Sequence, residues 1–144
     1  MKTTEEPIVL KTKLNAPVSK VWGAITQIEL MTQWYFEDIP DFQPEIGFTT
    51  KFSVQNGDRT FTHCWEVVDV VPEKLISYAW HYEEYEGDSN VSFELTEKEG
   101  FTHIKVVHKA TKDFDADIPE FERENGLMGW DYFINDRLKA FVES

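Results

Sequence analysis

The chain contains a single cysteine, Cys64. It cannot form an internal disulfide, so nothing in the sequence points to an oxidising compartment. No stretch approaches the about 20 consecutive apolar residues that a membrane span needs. The opening residues MKTTEEPIVLK lack the run of roughly 7–15 apolar residues that marks a secretory signal. Positive charge is scarce: 14 Lys and Arg face 27 Asp and Glu, giving a net charge of −13. Phosphate backbones and anionic membrane surfaces both require clustered Lys and Arg, so this balance disfavours them. No repeat, low-complexity tract or interdomain linker interrupts the chain. These absences lead us to expect a cytoplasmic protein that engages neither nucleic acid nor membrane.

Aromatic residues, by contrast, are plentiful. Eleven Phe, five Trp and five Tyr make up 15% of the 144 residues. Large rings fill broad cores, and they also line pockets for apolar ligands. A chain of this length is about one domain and buries roughly two-thirds of its unfolded surface.

Periodicity supplies the order of elements. Residues 8–14, IVLKTKL, alternate as a strand. In NAPVSKVWGAIT, Pro17 suits the first turn of a helix whose buried stripe is Val18, Val21, Trp22 and Ile25. IELMTQWYF predicts a second short helix ending near Trp34, and the two prolines of EDIPDFQPEIG predict irregular chain. Strands are expected at 48–54, 59–71, 75–82, 91–96 and 101–110, with NGD at 56–58 as a hairpin turn. Neither phase of RTFTHCWEVVDVV is purely apolar, which predicts a bulge. From about Pro119 to Val142, Leu127, Trp130, Ile134, Leu138 and Phe141 recur at helical spacing. Short links make the sheet antiparallel, and helices on one side of it give an α+β architecture. Gly126 and Gly129 leave the last helix bare near its start: either a space opens there beneath the helix, or the backbone packs closely.

These segments resemble the START-like, or helix-grip (SRPBCC), superfamily. LNAPVSKVWGAIT is similar to its strand-to-helix opening, and QWYF to the aromatic turn after its second small helix. EVVDVVPEKLISYAW is similar to its paired central strands, SNVSFELTEKEGFTHIKVVH to its following hairpin, and GLMGWDYFINDRLKAFV to its closing helix. The match runs from about residue 8 to 143 and is nearest to the branch of the activator of Hsp90 ATPase homologues. The resemblance implies one START-like domain over 1–144. Its curved antiparallel sheet of six or seven strands would grip the C-terminal helix around a cavity, with two short helices after the first strand. Relatives bind lipids, plant hormones or polyketides, or act as co-chaperones.

Two metal and thiol readings are set aside. Asp113, Asp115, Asp117 and Glu124 fall at EF-hand spacing, but Ile118 occupies the turn position that needs Gly. Asp117 as a cap of the last helix fits better. Cys64 and His63 are adjacent on a strand and point to opposite faces, so they cannot pair as nucleophile and base. His103 and His108 likewise face apart, and no Cys/His spacing suits zinc. His108 shares a phase with Ile104 and Val106 and faces inward, where it must hydrogen-bond a protein group or a ligand; it also matches a histidine of the family.

The candidate cavity lining is Trp34, Phe36, Phe52, Trp65, Glu66, Tyr78, Trp80, Phe93, His108, Gly126, Gly129 and Trp130. No metal or cofactor is expected. The leading reading is a small apolar or aromatic ligand held between sheet and helix. The alternatives are a co-chaperone module acting on Hsp90, and a cyclase or hydrolase with His108 or Glu66 as acid or base. Either a monomer or a homodimer fits.

Overall fold

A computed structural model describes residues 1–144. Strand β1 (Ile8–Leu14) leads into helices α1 (Val18–Thr26) and α2 (Ile28–Trp34). Five strands follow: β2 (Thr49–Asn56), β3 (Arg59–Val71), β4 (Leu75–Tyr82), β5 (Asp88–Lys98) and β6 (Phe101–Lys112). A 3₁₀ turn (Pro119–Phe121) then precedes α3 (Arg123–Asp131), a π-helical segment (Tyr132–Leu138) and α4 (Lys139–Glu143). The six strands form one antiparallel sheet in the order β1-β6-β5-β4-β3-β2. This is the expected α+β helix-grip arrangement, with six strands. No helix is long and apolar enough to cross a membrane.

The local signals resolve as physics requires. Gly57 takes φ 62° in the β2–β3 turn, where a side chain would be strained. In β3 the inward phase runs through His63, Trp65 and Val67, and the pairing register then shifts between Val67 and Asp69. That is the bulge anticipated from the imperfect alternation. It leaves Val68 exposed and passes the inward role to Val70.

The last helix differs from an unbroken rod. Glu122 has extended backbone (ψ 142°), so the chain kinks between the 3₁₀ turn and α3. Asp117 caps neither piece: its backbone N–H donates to Asp115 Oδ1, and the residues flanking the two starts are Ile118 and Glu122. The acidic residues around 113–124 do not converge into a group able to hold a metal ion.

Trp130, Ile134 and Leu138 are buried at intervals of four residues. On a regular α-helix such a row drifts by about 40° per step. The wider π turn removes this drift, so Ile134 and Leu138, both at 0% exposure, stay on the sheet side. It also turns Phe133 inward, against Tyr35 and Phe36 at ring-centroid distances of 5.0 Å.

Candidate functional site

Helix and sheet do not close on each other everywhere. A cavity of about 170 Å³ remains between α3 and the β3–β6 face. Its sheet wall carries His63, Trp80, Tyr82, Ser89 and His108. Phe36, just beyond α2, and Trp130 and Phe133 of the last helix supply the opposing rings. Phe114, Phe121 and Glu120 border the end nearest the amino terminus. Phe114 is pressed against Gly87, where a Cβ would lie only 2.5 Å from the Phe114 ring and φ is +121°. Only glycine lets the β4–β5 loop approach that closely.

The two helix glycines behave differently. A Cβ on Gly129 would meet nothing within 4 Å, so its missing side chain is part of the open space. A Cβ on Gly126 would lie 2.8 Å from Ile8 Cδ1. Gly126 therefore serves close packing of α3 on β1, although it too borders the cavity.

A directed hydrogen-bond relay forms the cavity's inner wall. An indole nitrogen can only donate, so Trp130 Nε1–H donates a hydrogen bond to His108 Nδ1 at 3.1 Å. His108 Nε2 then carries the ring hydrogen and donates to Ser89 Oγ at 2.9 Å. Ser89 in turn donates to the Trp80 carbonyl at 2.8 Å. Burial, assisted by the nearby terminal ammonium, pushes the His108 pKa down to about 4, so the ring is neutral at pH 7. Trp80 stacks on its face at 5.3 Å. Both nitrogens are committed, and the inward polar demand of His108 is met by protein. Replacing Ser89 with alanine would leave the His108 N–H buried without an acceptor. We expect Ser89→Ala to cost about 1–3 kcal/mol, read as a lower urea midpoint.

The remaining polar groups of the sheet wall are uncharged, and charge borders the cavity only through Met1, Glu120 and Glu122. Tyr35 and Tyr78 pair their hydroxyls at 2.9 Å, and burial holds both well above the usual phenol range. His63 Nδ1 lies 3.0 Å from the Phe61 carbonyl. Burial lowers its pKa to about 4, opposed by the hydrogen bond to the Phe61 carbonyl and then by the charge of Glu84. Glu120 at the rim is held by Asn56 Nδ2 at 2.8 Å and by Arg59 at 3.3 Å.

Of the twelve residues expected at the cavity, Phe36, Trp80, His108, Gly126, Gly129 and Trp130 border it. Trp34, Phe52, Trp65, Tyr78 and Phe93 are buried in the core beside it instead. The Trp34 indole is spent on the Ala24 carbonyl at 2.7 Å, and Trp65 is boxed by Tyr78 and Phe52 at 4.8 and 4.9 Å. Glu66 is a correction. It alternates between the buried Trp65 and Val67 ahead of the bulge, so strand geometry sends it to the exposed outer face. With Glu66 outside and both nitrogens of His108 engaged, neither group named for acid–base chemistry is free in the cavity.

Sequence reasoning missed His63, Tyr82, Ser89, Phe114, Phe121 and Phe133. For His63 a signal existed: it shares the inward phase of Phe61, Trp65 and Val67, the same argument that pointed to His108. Phe133 reaches the cavity through the π turn, whose only mark in the sequence is the four-residue spacing of Trp130, Ile134 and Leu138.

A curved antiparallel sheet, two small helices after the first strand and a terminal helix held off the sheet by a cavity define the START-like helix-grip class. Within it, the chain belongs to the family described as activator of Hsp90 ATPase homolog 1-like protein, which it matches over residues 15–143. It is similar to protein CV1439 from Chromobacterium violaceum, with 20% identity and a TM-score of 0.80 over 96% of this chain and 98% of that one. Protein BH1534 from Bacillus halodurans is 27% identical, with a TM-score of 0.75 over 96% of this chain and 98% of that one. DynU16, a protein of the dynemicin biosynthetic locus, is 23% identical, with a TM-score of 0.77; 97% of this chain covers 48% of that one. No curated protein matches the chain.

Proposed function

We propose that the protein binds a small, neutral, largely apolar aromatic molecule in the helix–sheet cavity, as a carrier or receptor without chemistry of its own. The observation that carries this reading is the cavity of about 170 Å³ walled by the rings of Trp80, Trp130 and Phe133. An apolar cavity of about 150 Å³ is enough to take up benzene. The usual range for drug-sized ligands begins near 300 Å³, so the occupant is one ring with small substituents. The family and the helix-grip fold support ligand binding in general, and the relative from the dynemicin locus is compatible with a small-molecule role. The internal saturation of His108 favours holding over catalysis.

Titration with toluene, followed by tryptophan fluorescence, tests the proposal. Saturable quenching at one site per chain is the expected outcome, because Trp80 and Trp130 both border the space. A linear, unsaturable response would refute it. The family match favours one second reading, a co-chaperone acting on an Hsp90 protein. An ATPase assay with the host's Hsp90 homologue decides that point: neither stimulation nor complex formation removes it.

A further inference from the structure

Building on the ligand-binding reading, we infer that the preferred occupant carries a hydroxyl on its ring, and that His63 Nε2 is the group that recognises it. The geometry is specific. The Phe61 carbonyl can only accept, so the 3.0 Å contact fixes the hydrogen of His63 on Nδ1. In the neutral ring Nε2 is then a bare lone pair. No protein donor reaches it, and it is not among the buried polar atoms left without a hydrogen-bond partner, which are Trp65 Nε1, Trp80 Nε1 and Glu120 Oε1, so Nε2 opens toward space instead of being sealed in the core. Yet the residue is 5% exposed and borders the cavity.

The ring is held rather than loose. Phe52 stacks on one face at 4.7 Å, Phe36 lies at 4.9 Å, and Tyr82 meets it edge-on at 4.8 Å. Its charge state is held too, since burial keeps it neutral and therefore accepting at pH 7. The nearest carboxylate effect comes from Glu84, which is itself engaged by the Thr62 N–H and hydroxyl and does not compete for Nε2. His108 cannot play the same part, because both its nitrogens are spent within the protein. Of the four ring nitrogens of the cavity's two histidines, His63 Nε2 is therefore the one open acceptor, set among the rings of Phe36, Trp80 and Phe133. A phenol complements it: a flat apolar ring with one strong O–H donor.

Phenol and toluene are nearly the same shape, so comparing them isolates this contact. A wholly apolar chamber discriminates against phenol, whose hydroxyl would lose its water partners for nothing. Here phenol is expected to bind at least as tightly as toluene. In His63→Phe the phenol-to-toluene affinity ratio should fall about tenfold, the weight of one buried hydrogen bond. The ¹⁵N resonance of His63 Nε2 gives a reading that needs no variant: phenol should shift it and toluene should not. Weak phenol binding beside firm toluene binding, with an unmoved Nε2 resonance, would overturn the inference and leave the carrier reading standing. If neither molecule binds, both fall together.

Discussion

Leucine at position 129 is expected to stabilise the protein and to abolish uptake of toluene or phenol in a single substitution. Glycine inside a helix costs about 1 kcal/mol relative to a good helix former. Each added methylene that leaves water contributes about 0.8 kcal/mol more. Because a Cβ on Gly129 meets nothing within 4 Å, the new side chain enters open space instead of colliding. The net gain should be on the order of 1–3 kcal/mol, which for a chain of this size is a rise of several degrees in melting temperature. Gly126 is the control. Its Cβ would press on the fully buried Ile8 from 2.8 Å, so the propensity gain of Gly126→Ala is offset by overpacking. Urea midpoints for the two variants should separate clearly. A destabilised Gly129→Leu protein would mean that the space beneath the helix is already filled.

Mild acid should weaken the fold through its two buried imidazoles. His63 and His108 titrate near 4 when folded, against 6.5 when exposed. The unfolded chain therefore binds their protons first. Stability is full above pH 6.5 and falls as pH drops from 6.5 toward 4, after which this contribution is flat. Between pH 7 and 5.5 the pair should lose on the order of 2–3 kcal/mol. The depressed carboxyls Glu84, Asp113 and Glu143 act in the same direction, but only below their ordinary values of 3.8–4.5. The amino terminus, lowered from 8.0 by burial, also acts in this direction and starts at higher pH. Relief of the −13 net charge opposes the trend, and high salt screens that repulsion out. Urea unfolding at the two pH values in high salt gives the number. His63→Phe should remove about half of the slope, and an unchanged slope would show that His63 is not buried and neutral.

The order of elements could be read in the sequence because burial imposes period two on strands and a period near 3.6 on helices. The β3 bulge was readable for the same reason, as alternation that loses phase. The cavity was half readable. Gly129 and Trp130 follow from helix phase, and Trp80 and His108 from strand phase. What separates a cavity wall from solid core is the spacing between elements, which no local pattern encodes. Trp65 and Trp80 have the same phase and chemistry, yet Trp80 faces the void while Trp65 is enclosed by other rings. Glu66 was misplaced because the bulge blurred which phase of β3 faces in. The π turn that brings in Phe133 depends on the fit between helix and sheet, and the sequence marks it only by the four-residue spacing of Trp130, Ile134 and Leu138.

The central claim is that an aromatic ring from outside can occupy the chamber under α3. Intermolecular nuclear Overhauser contacts in a sample saturated with toluene test it most directly. The account predicts contacts from the toluene ring to the Gly129 α-protons and to the Trp80 and Phe133 rings. Contacts confined to exposed side chains such as Met128 and Tyr132, or none at all, would contradict it.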